Sequence, residues 1–177
     1  MDGILGLLKL RIKKGVSLAI RDTRSSDPYV VVTMGDQIYI LMQKLKTGVV
    51  KDTRNPEWDE ELTLSIRDVN TPIHLEVFDK DTFTVDDKMG NAEIDIKPYL
   101  ECLKMNLTNN LSNGCVVKRI DADGKNYLVE ESCCIWNNGK ITQQMTLALR
   151  NVECGYVVVE IEWREIPGSK GLSEVEL

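Results

Sequence analysis

Two short acidic runs hold the side chains best suited to chemistry. The first carries Asp22 and Asp27, separated by Thr23, Arg24, Ser25 and Ser26. The second carries Asp79, Asp81, Asp86 and Asp87, interrupted by Lys80 and by Thr82, Phe83, Thr84 and Val85. Carboxylates brought close repel one another, so gathering them at loop tips costs stability unless a cation is present. Calcium suits such a set best, because it takes about six to eight oxygens in a flexible arrangement and accepts bidentate carboxylate. Magnesium demands a tighter octahedron and keeps more of its water. Neither run is a complete site by itself. Counted as an EF-hand from Asp79, Phe83, Thr84 and Gly90 stand where a ligand, the turn glycine and the closing glutamate belong. Counted from Asp121, Lys125 and Ser132 stand where acids belong. Aspartate is also common in turns, and either run alone reads equally as an acidic turn. A calcium site here has to be assembled from two loops far apart in sequence.

Other chemistry finds little footing. The single histidine, His74, lies between Ile73 and Leu75 in an alternating run and reads as a solvent-facing strand residue. No serine or cysteine nucleophile has a recognisable base, and no glycine-rich phosphate loop is present, so an enzyme is not expected. Five cysteines (Cys102, Cys115, Cys133, Cys134 and Cys154) are an odd count without a Cys-x-x-Cys pair. Reduced thiols are expected, and zinc is not. The 177 residues carry a formal charge of −6, which argues against nucleic acid as the main ligand. No apolar run approaches the roughly eighteen residues of a membrane span. The start, Met1-Asp2-Gly3, signals neither secretion nor myristoylation.

Strands have to position the acids. Apolar residues alternate at Leu8, Leu10 and Ile12, at Leu62, Leu64 and Ile66, at Ile73, Leu75 and Val77, and at Ala92, Ile94 and Ile96. The pattern returns at Met145, Leu147 and Leu149, and again at Val157, Val159, Ile161 and Trp163. Residues 29–34 read as a buried strand, and Leu45, Thr47 and Val49 as one more. Eight strands with little helix predict an all-β, two-sheet antiparallel sandwich. Residues 98–143 break the pattern: 98–104 predict a short helix with Pro98 in its first turn. Asp121-Ala122-Asp123-Gly124 and Asn137-Asn138-Gly139 predict hairpin turns. This stretch is too long for a plain loop and is expected to be an insertion on one end or edge of a single domain spanning 1–177.

Five motifs then stand in a familiar order. They are Ser26-Asp27-Pro28-Tyr29-Val30-Val31-Val32, Lys44-Leu45-Lys46-Thr47, Asn55-Pro56-Glu57-Trp58, Phe78-Asp79-Lys80-Asp81 and Asp87-Lys88-Met89-Gly90. Together they resemble a C2 domain. Glu130-Glu131-Ser132, the run from Leu149 through Arg150, Asn151, Val152, Glu153 and Cys154 to Gly155, and Pro167-Gly168-Ser169-Lys170-Gly171 resemble the plant C2-domain abscisic-acid-related (CAR) family. The resemblance implies an eight-stranded C2 sandwich of type II topology. It implies calcium ligation by the carboxylates of Asp22, Asp27, Asp79, Asp81 and Asp87, with backbone carbonyls of Arg21 and Lys80 adding oxygens. It further implies a calcium-dependent phospholipid-binding adaptor that recruits abscisic acid receptors to the plasma membrane, with stimulation of a small GTPase in some members. The cytoplasmic face of the plasma membrane, the cytosol and the nucleus are the implied locations. Three departures stand out. The first-loop aspartates are five positions apart where many animal C2 domains have six, Gly48 stands where relatives usually have arginine, and residues 36–42 lengthen a hairpin that is short in relatives.

On this reading two bound calcium ions would take the formal charge from −6 to −2 and reverse its sign locally. Phe83 and Val85, near the tip of the second loop, are candidates to dip into the headgroup region, with packing under their own loop as the alternative for Phe83. Lys44 and Lys46, with Lys51 and Arg54 beyond, form a basic stripe able to hold phosphoinositide or simply a solvated strand face. Trp58 is expected to pack in the core or against a loop rather than to anchor in a membrane. Residues 101–142 are the expected partner surface. The rival reading is a calcium-independent protein-interaction scaffold whose aspartates are vestigial.

Overall fold

The computed structural model describes residues 3–35, 42–105, 110–173 and 175–177. These form ten strands and one helix: β1 (Gly6–Val16), β2 (Pro28–Met34), β3 (Gln43–Lys46), β4 (Glu57–Ile66), β5 (Ile73–Asp79), β6 (Asp87–Ile94), α1 (Lys97–Lys104), β7 (Cys115–Ile120), β8 (Ser132–Asn137), β9 (Lys140–Ala148) and β10 (Tyr156–Arg164). A six-stranded sheet runs β4-β1-β10-β9-β8-β7, and a four-stranded sheet runs β3-β2-β5-β6. Every strand pair is antiparallel. The first and last strands, β1 and β10, are neighbours inside the larger sheet.

Alternation explains the packing. Leu8, Leu10 and Ile12 are fully buried on one face of β1, and Leu64, Val157, Val159 and Ile161 join them from flanking strands. Val30, Val32, Leu75 and Val77 answer from the smaller sheet. Trp58 is buried as expected, and its indole N–H donates to the Pro28 carbonyl at 3.1 Å. At Gly90 the backbone has φ +102°, and a Cβ there would come within 2.5 Å of Val152, so only glycine fits.

All eight alternating segments are strands, although β3 stops at Lys46, short of Val49. Thr47 is the cause: its N–H donates to the Val30 carbonyl, and its buried hydroxyl accepts from the Val30 N–H, so the chain leaves the ladder there. The stretch 98–143 contributes α1, β7 and β8, and the last two widen the larger sheet at its edge. Pro98 lies in the first turn of α1, and Tyr99, Leu100 and Cys102 are its buried face. The Tyr99 hydroxyl donates to the Ile141 carbonyl and accepts from the Trp163 N–H, both at 2.7 Å.

The two predicted turns differ in outcome. Asn138 and Gly139, at φ +49° and +81°, close a tight hairpin between β8 and β9. Asp121 to Gly124 instead begins a long crossing from β7 to β8. The Asp123 carboxylate accepts the N–H groups of Lys125 and Asn126, and Arg150 binds the carbonyls of both while lying 3.8 Å over the Tyr127 ring.

Candidate metal site

Asp79 is the centre of the acidic end. It closes β5, is 1% exposed, and receives the Asp27 N–H on Oδ1 at 2.6 Å. Its Oδ2 is buried and has no hydrogen-bond partner. Register does the positioning: Asp79 lies opposite Pro28 on β2 and opposite Asp87 on β6. The end of the first acidic run and both ends of the second therefore meet side by side. Lys80 adds a bond from its N–H to the Asp27 carbonyl at 3.0 Å. Burial raises the pKa of Asp79, the Asp27 N–H partly opposes this, and repulsion from Asp22 and Asp81 adds to it. Asp22, Asp27, Asp79 and Asp81 are thus gathered into one electrostatic group.

The remaining predicted residues are arranged around it. Ser26, fully buried, accepts the Arg21 N–H and donates to the Ala19 carbonyl, which fixes the base of the first loop. The Arg21 guanidinium turns outward, pairing with Glu153 at 2.7 and 3.1 Å and with the Lys88 carbonyl at 3.1 Å. The pKa of Arg21 is raised first by Glu153 and also by Asp87, so Asp87 has a cation beside it. The Lys80 ammonium reaches Asp86 at 3.1 Å. Asp86 itself is drawn away from the group. It accepts the Tyr29 hydroxyl at 2.6 Å and the Asp81 N–H at 3.1 Å, which lowers its pKa. Burial, then the Asp86 bond, pushes Tyr29 up to about 12.

Sequence reasoning missed Asp52. Its N–H donates to Asp27 Oδ1 at 2.7 Å, and its carboxylate accepts the Ser25 hydroxyl. A third loop thereby braces the first. A lone aspartate between Lys51 and Thr53 carries no signal of this role.

Among the described residues, no three acidic, histidine or cysteine side chains stand close enough together to hold an ion as placed. The donor chemistry is nonetheless that of a hard divalent cation, since every gathered donor is a carboxylate oxygen. The buried Asp79 Oδ2 is the atom whose cost a cation would remove.

Phe83 and Val85 are 96% and 89% exposed at the tip, so Phe83 is not packed beneath its own loop. Lys44 and Lys46 are exposed on β3, opposite Thr33 and Val31 of β2. An open groove of about 1170 Å³ is lined in part by Val31, Thr33, Lys44, Phe78, Val85 and Asp86. Arg54 does not extend this basic stripe. Its Nε binds the Leu18 carbonyl at 2.8 Å and another guanidinium nitrogen approaches Cys154. His74 is exposed beside Glu93. All five cysteines are free, with the thiols of Cys102 and Cys134 pushed up by burial. Of the lengthened hairpin at 36–42, residues 36–41 lie outside the described residues.

Comparison with known proteins agrees with this architecture. The model of the C2 domain family matches residues 6–111. The Arabidopsis thaliana protein named C2-DOMAIN ABA-RELATED 10 is 53% identical over 170 residues, covering 96% of this chain and 91% of that protein. GTPase activating protein 1 of Oryza sativa subsp. indica is 51% identical over 169 residues, covering 96% and 98%. The solved pair of C2 domains from Extended-Synaptotagmin 2, calcium bound, aligns with TM-score 0.59 over 92% of this chain and 46% of that one. At 19% identity, that likeness is one of fold alone. The chain belongs to the C2 domain family and, within it, to the plant C2-domain ABA-related proteins.

Proposed function

We propose that the chain is a calcium-dependent adaptor that docks on anionic phospholipid at the cytoplasmic face of the plasma membrane and brings signalling proteins there. C2-domain proteins have membrane-associated signalling roles, and the C2 fold is not itself catalytic. One observation carries the reading: Asp79 is buried with an orphaned oxygen and with Asp22 and Asp81 repelling it. Such a group favours whatever positive charge relieves it.

The side chains of Asp22, Asp27, Asp79 and Asp81, with Asp87 and the backbone carbonyls of Arg21 and Lys80, would hold the ion. Calcium, when bound, supplies positive charge and open coordination positions that lipid phosphate can complete. The protein's own share is orientation. Asp27 and Lys80 tie the bases of the two loops together. Phe83 and Val85 then enter the headgroup region, and Lys44 and Lys46 meet lipid phosphate from the exposed face of β3. Each such basic residue contributes about 1 kcal/mol near an anionic surface.

The relatives' names support the proposed partners. An abscisic acid receptor is proposed as cargo, and a small GTPase as a second partner because one rice relative is named a GTPase activating protein. The proposed distribution extends to the cytosol and nucleus, and residues 101–142 are the proposed partner surface.

Sedimentation with phosphatidylserine vesicles tests the docking step. The wild type is expected to pellet in calcium and stay soluble in chelator. Asp22→Ala with Asp27→Ala is expected to stay soluble in both, with an unchanged circular dichroism spectrum. The calcium-independent scaffold reading draws on the acids' failure to close a ready cage. A flat calcium titration in calorimetry together with chelator-insensitive pelleting would favour it.

A further inference from the structure

We propose that the wedge between the two sheets, beneath the segment 121–131, is a binding site for an uncharged, largely apolar small molecule carrying one O–H or N–H donor. The larger sheet has six strands and the smaller has four. β3 meets β4 at one edge, so the smaller sheet reaches across as far as β9 and leaves β8 and β7 with no strand opposite them. Residues 121–131 and the start of α1 cover the gap and leave a cleft of about 440 Å³. Small-molecule sites occupy about 300–1,000 Å³. Ile94, Tyr127, Leu128, Met145 and Leu147 supply its apolar lining. None of its lining residues belongs to the acidic loops.

The cover is pre-formed. Leu128 bridges to Leu147, the Ala148 N–H donates to the Tyr127 carbonyl at 2.7 Å, and the Val129 N–H donates to Thr146 at 2.9 Å. A site that exists before its ligand arrives spends little binding free energy on ordering.

Gln143 points to the ligand's chemistry. It lines the cleft, lies on the inner face of β9, and is 2% exposed. The Ser132 hydroxyl has one proton and gives it to the Gln144 carbonyl at 2.7 Å. Ser132 can then only accept from Gln143, which it does from Nε2 at 2.9 Å. That fixes the amide, and Gln143 Oε1 is left buried without a donor. Buried acceptors are almost always paired, and a ligand seated against Gln143 would bring the donor that Oε1 lacks. The rim carries Lys97 and Lys125 against Glu93, Asp95 and Asp123. Those mixed signs nearly cancel, which favours an uncharged occupant over an anion.

Two probes of one shape decide the matter: 2-naphthol, which brings a hydroxyl, and 2-methylnaphthalene, which does not. Full-length protein labelled at the methionine methyl carbons is titrated with each, following the Met145 signal. The expected result is saturable movement of Met145 by 2-naphthol, with a preference of about tenfold or more over 2-methylnaphthalene. Gln143→Met should retain binding of 2-methylnaphthalene and reduce the preference to within about threefold. Leu128→Trp, which fills the cleft from its half-buried cover, should abolish the Met145 response and serves if Gln143→Met does not fold. A Met145 signal that neither probe moves overturns the proposal and leaves the cleft to water. So does a preference that survives Gln143→Met, or a response that survives Leu128→Trp.

Discussion

Asp27 donates its backbone N–H to one oxygen of the Asp79 carboxylate across 2.6 Å, while the other oxygen is buried with no partner. The contact joins residues 52 positions apart and fixes the spacing of both acidic loops. It also leaves the site half satisfied. One N–H does not offset the burial of a charge that has Asp22 and Asp81 for neighbours. The protein's own groups therefore hold this end of the molecule in place without relieving its charge.

Asp79→Asn should stabilise the metal-free protein. The folded-state pKa of Asp79 lies above its unfolded value, so its protonated form favours folding. That contribution is present in acid and is lost as pH rises through the folded value. Asparagine keeps an acceptor for the Asp27 N–H, removes the charge, and offers Asp22 and Asp81 a donor. Scanning calorimetry at neutral pH in chelator should show a melting temperature a few degrees higher, on the order of 1 kcal/mol. The same variant should lose any stabilisation by calcium. A lower melting temperature in chelator would contradict the account of Asp79.

Phe83→Ser with Val85→Ser separates membrane contact from ion binding. Both side chains are almost fully exposed, so the fold should change by less than about 0.5 kcal/mol. Removing an inserted aromatic forfeits up to roughly 1.5–3 kcal/mol, so vesicle affinity should fall about tenfold or more. Calcium affinity measured without vesicles should not move. Unaltered vesicle affinity would remove the second loop from the membrane contact.

The fold was legible because period-two alternation survives wherever a strand has one buried face, as at Leu8, Leu10 and Ile12. β7 lacked that signal: it is an edge strand in which no residue is fully buried, and its register with β8 shifts between Val116 and Lys118. At the site, Asp86 and Asp87 are adjacent acids that only the family resemblance told apart, and the Tyr29 hydroxyl is the physical feature that sets Asp86 apart. Asp52 stayed hidden because its role depends on a left-handed turn, φ +56°, that brings its N–H to Asp27. Gln143 was equally silent. Its meaning depends on a sheet mismatch that no local pattern encodes.

The Arg21–Glu153 pair should be visible in a titration. The bonded Arg21 guanidinium holds the Glu153 carboxyl down to about 2, against an ordinary 4.5. A depressed acid contributes stability above its unfolded value, lost as pH falls from about 4.5 through about 2. Glu153 is largely exposed, so salt should weaken the effect. Side-chain carboxyl NMR should place the midpoint near the lower value, and Arg21→Gln should return it to the ordinary range. An unshifted midpoint in Arg21→Gln would assign the depression to the backbone instead.

Tyr99→Phe tests whether residues 98–143 are energetically part of the sandwich. Tyr99 lies on α1, yet its hydroxyl joins the Ile141 carbonyl at the start of β9 to the Trp163 N–H near the end of β10. Deleting that oxygen leaves a donor and an acceptor without partners inside the larger sheet, at a cost of about 1–3 kcal/mol. If the insertion and the sandwich fold as one unit, urea unfolding should remain a single transition, with a lower midpoint and an unchanged slope. An early separate transition, with the main midpoint unmoved, would instead make α1 and its strands an independently melting layer on the sheet edge.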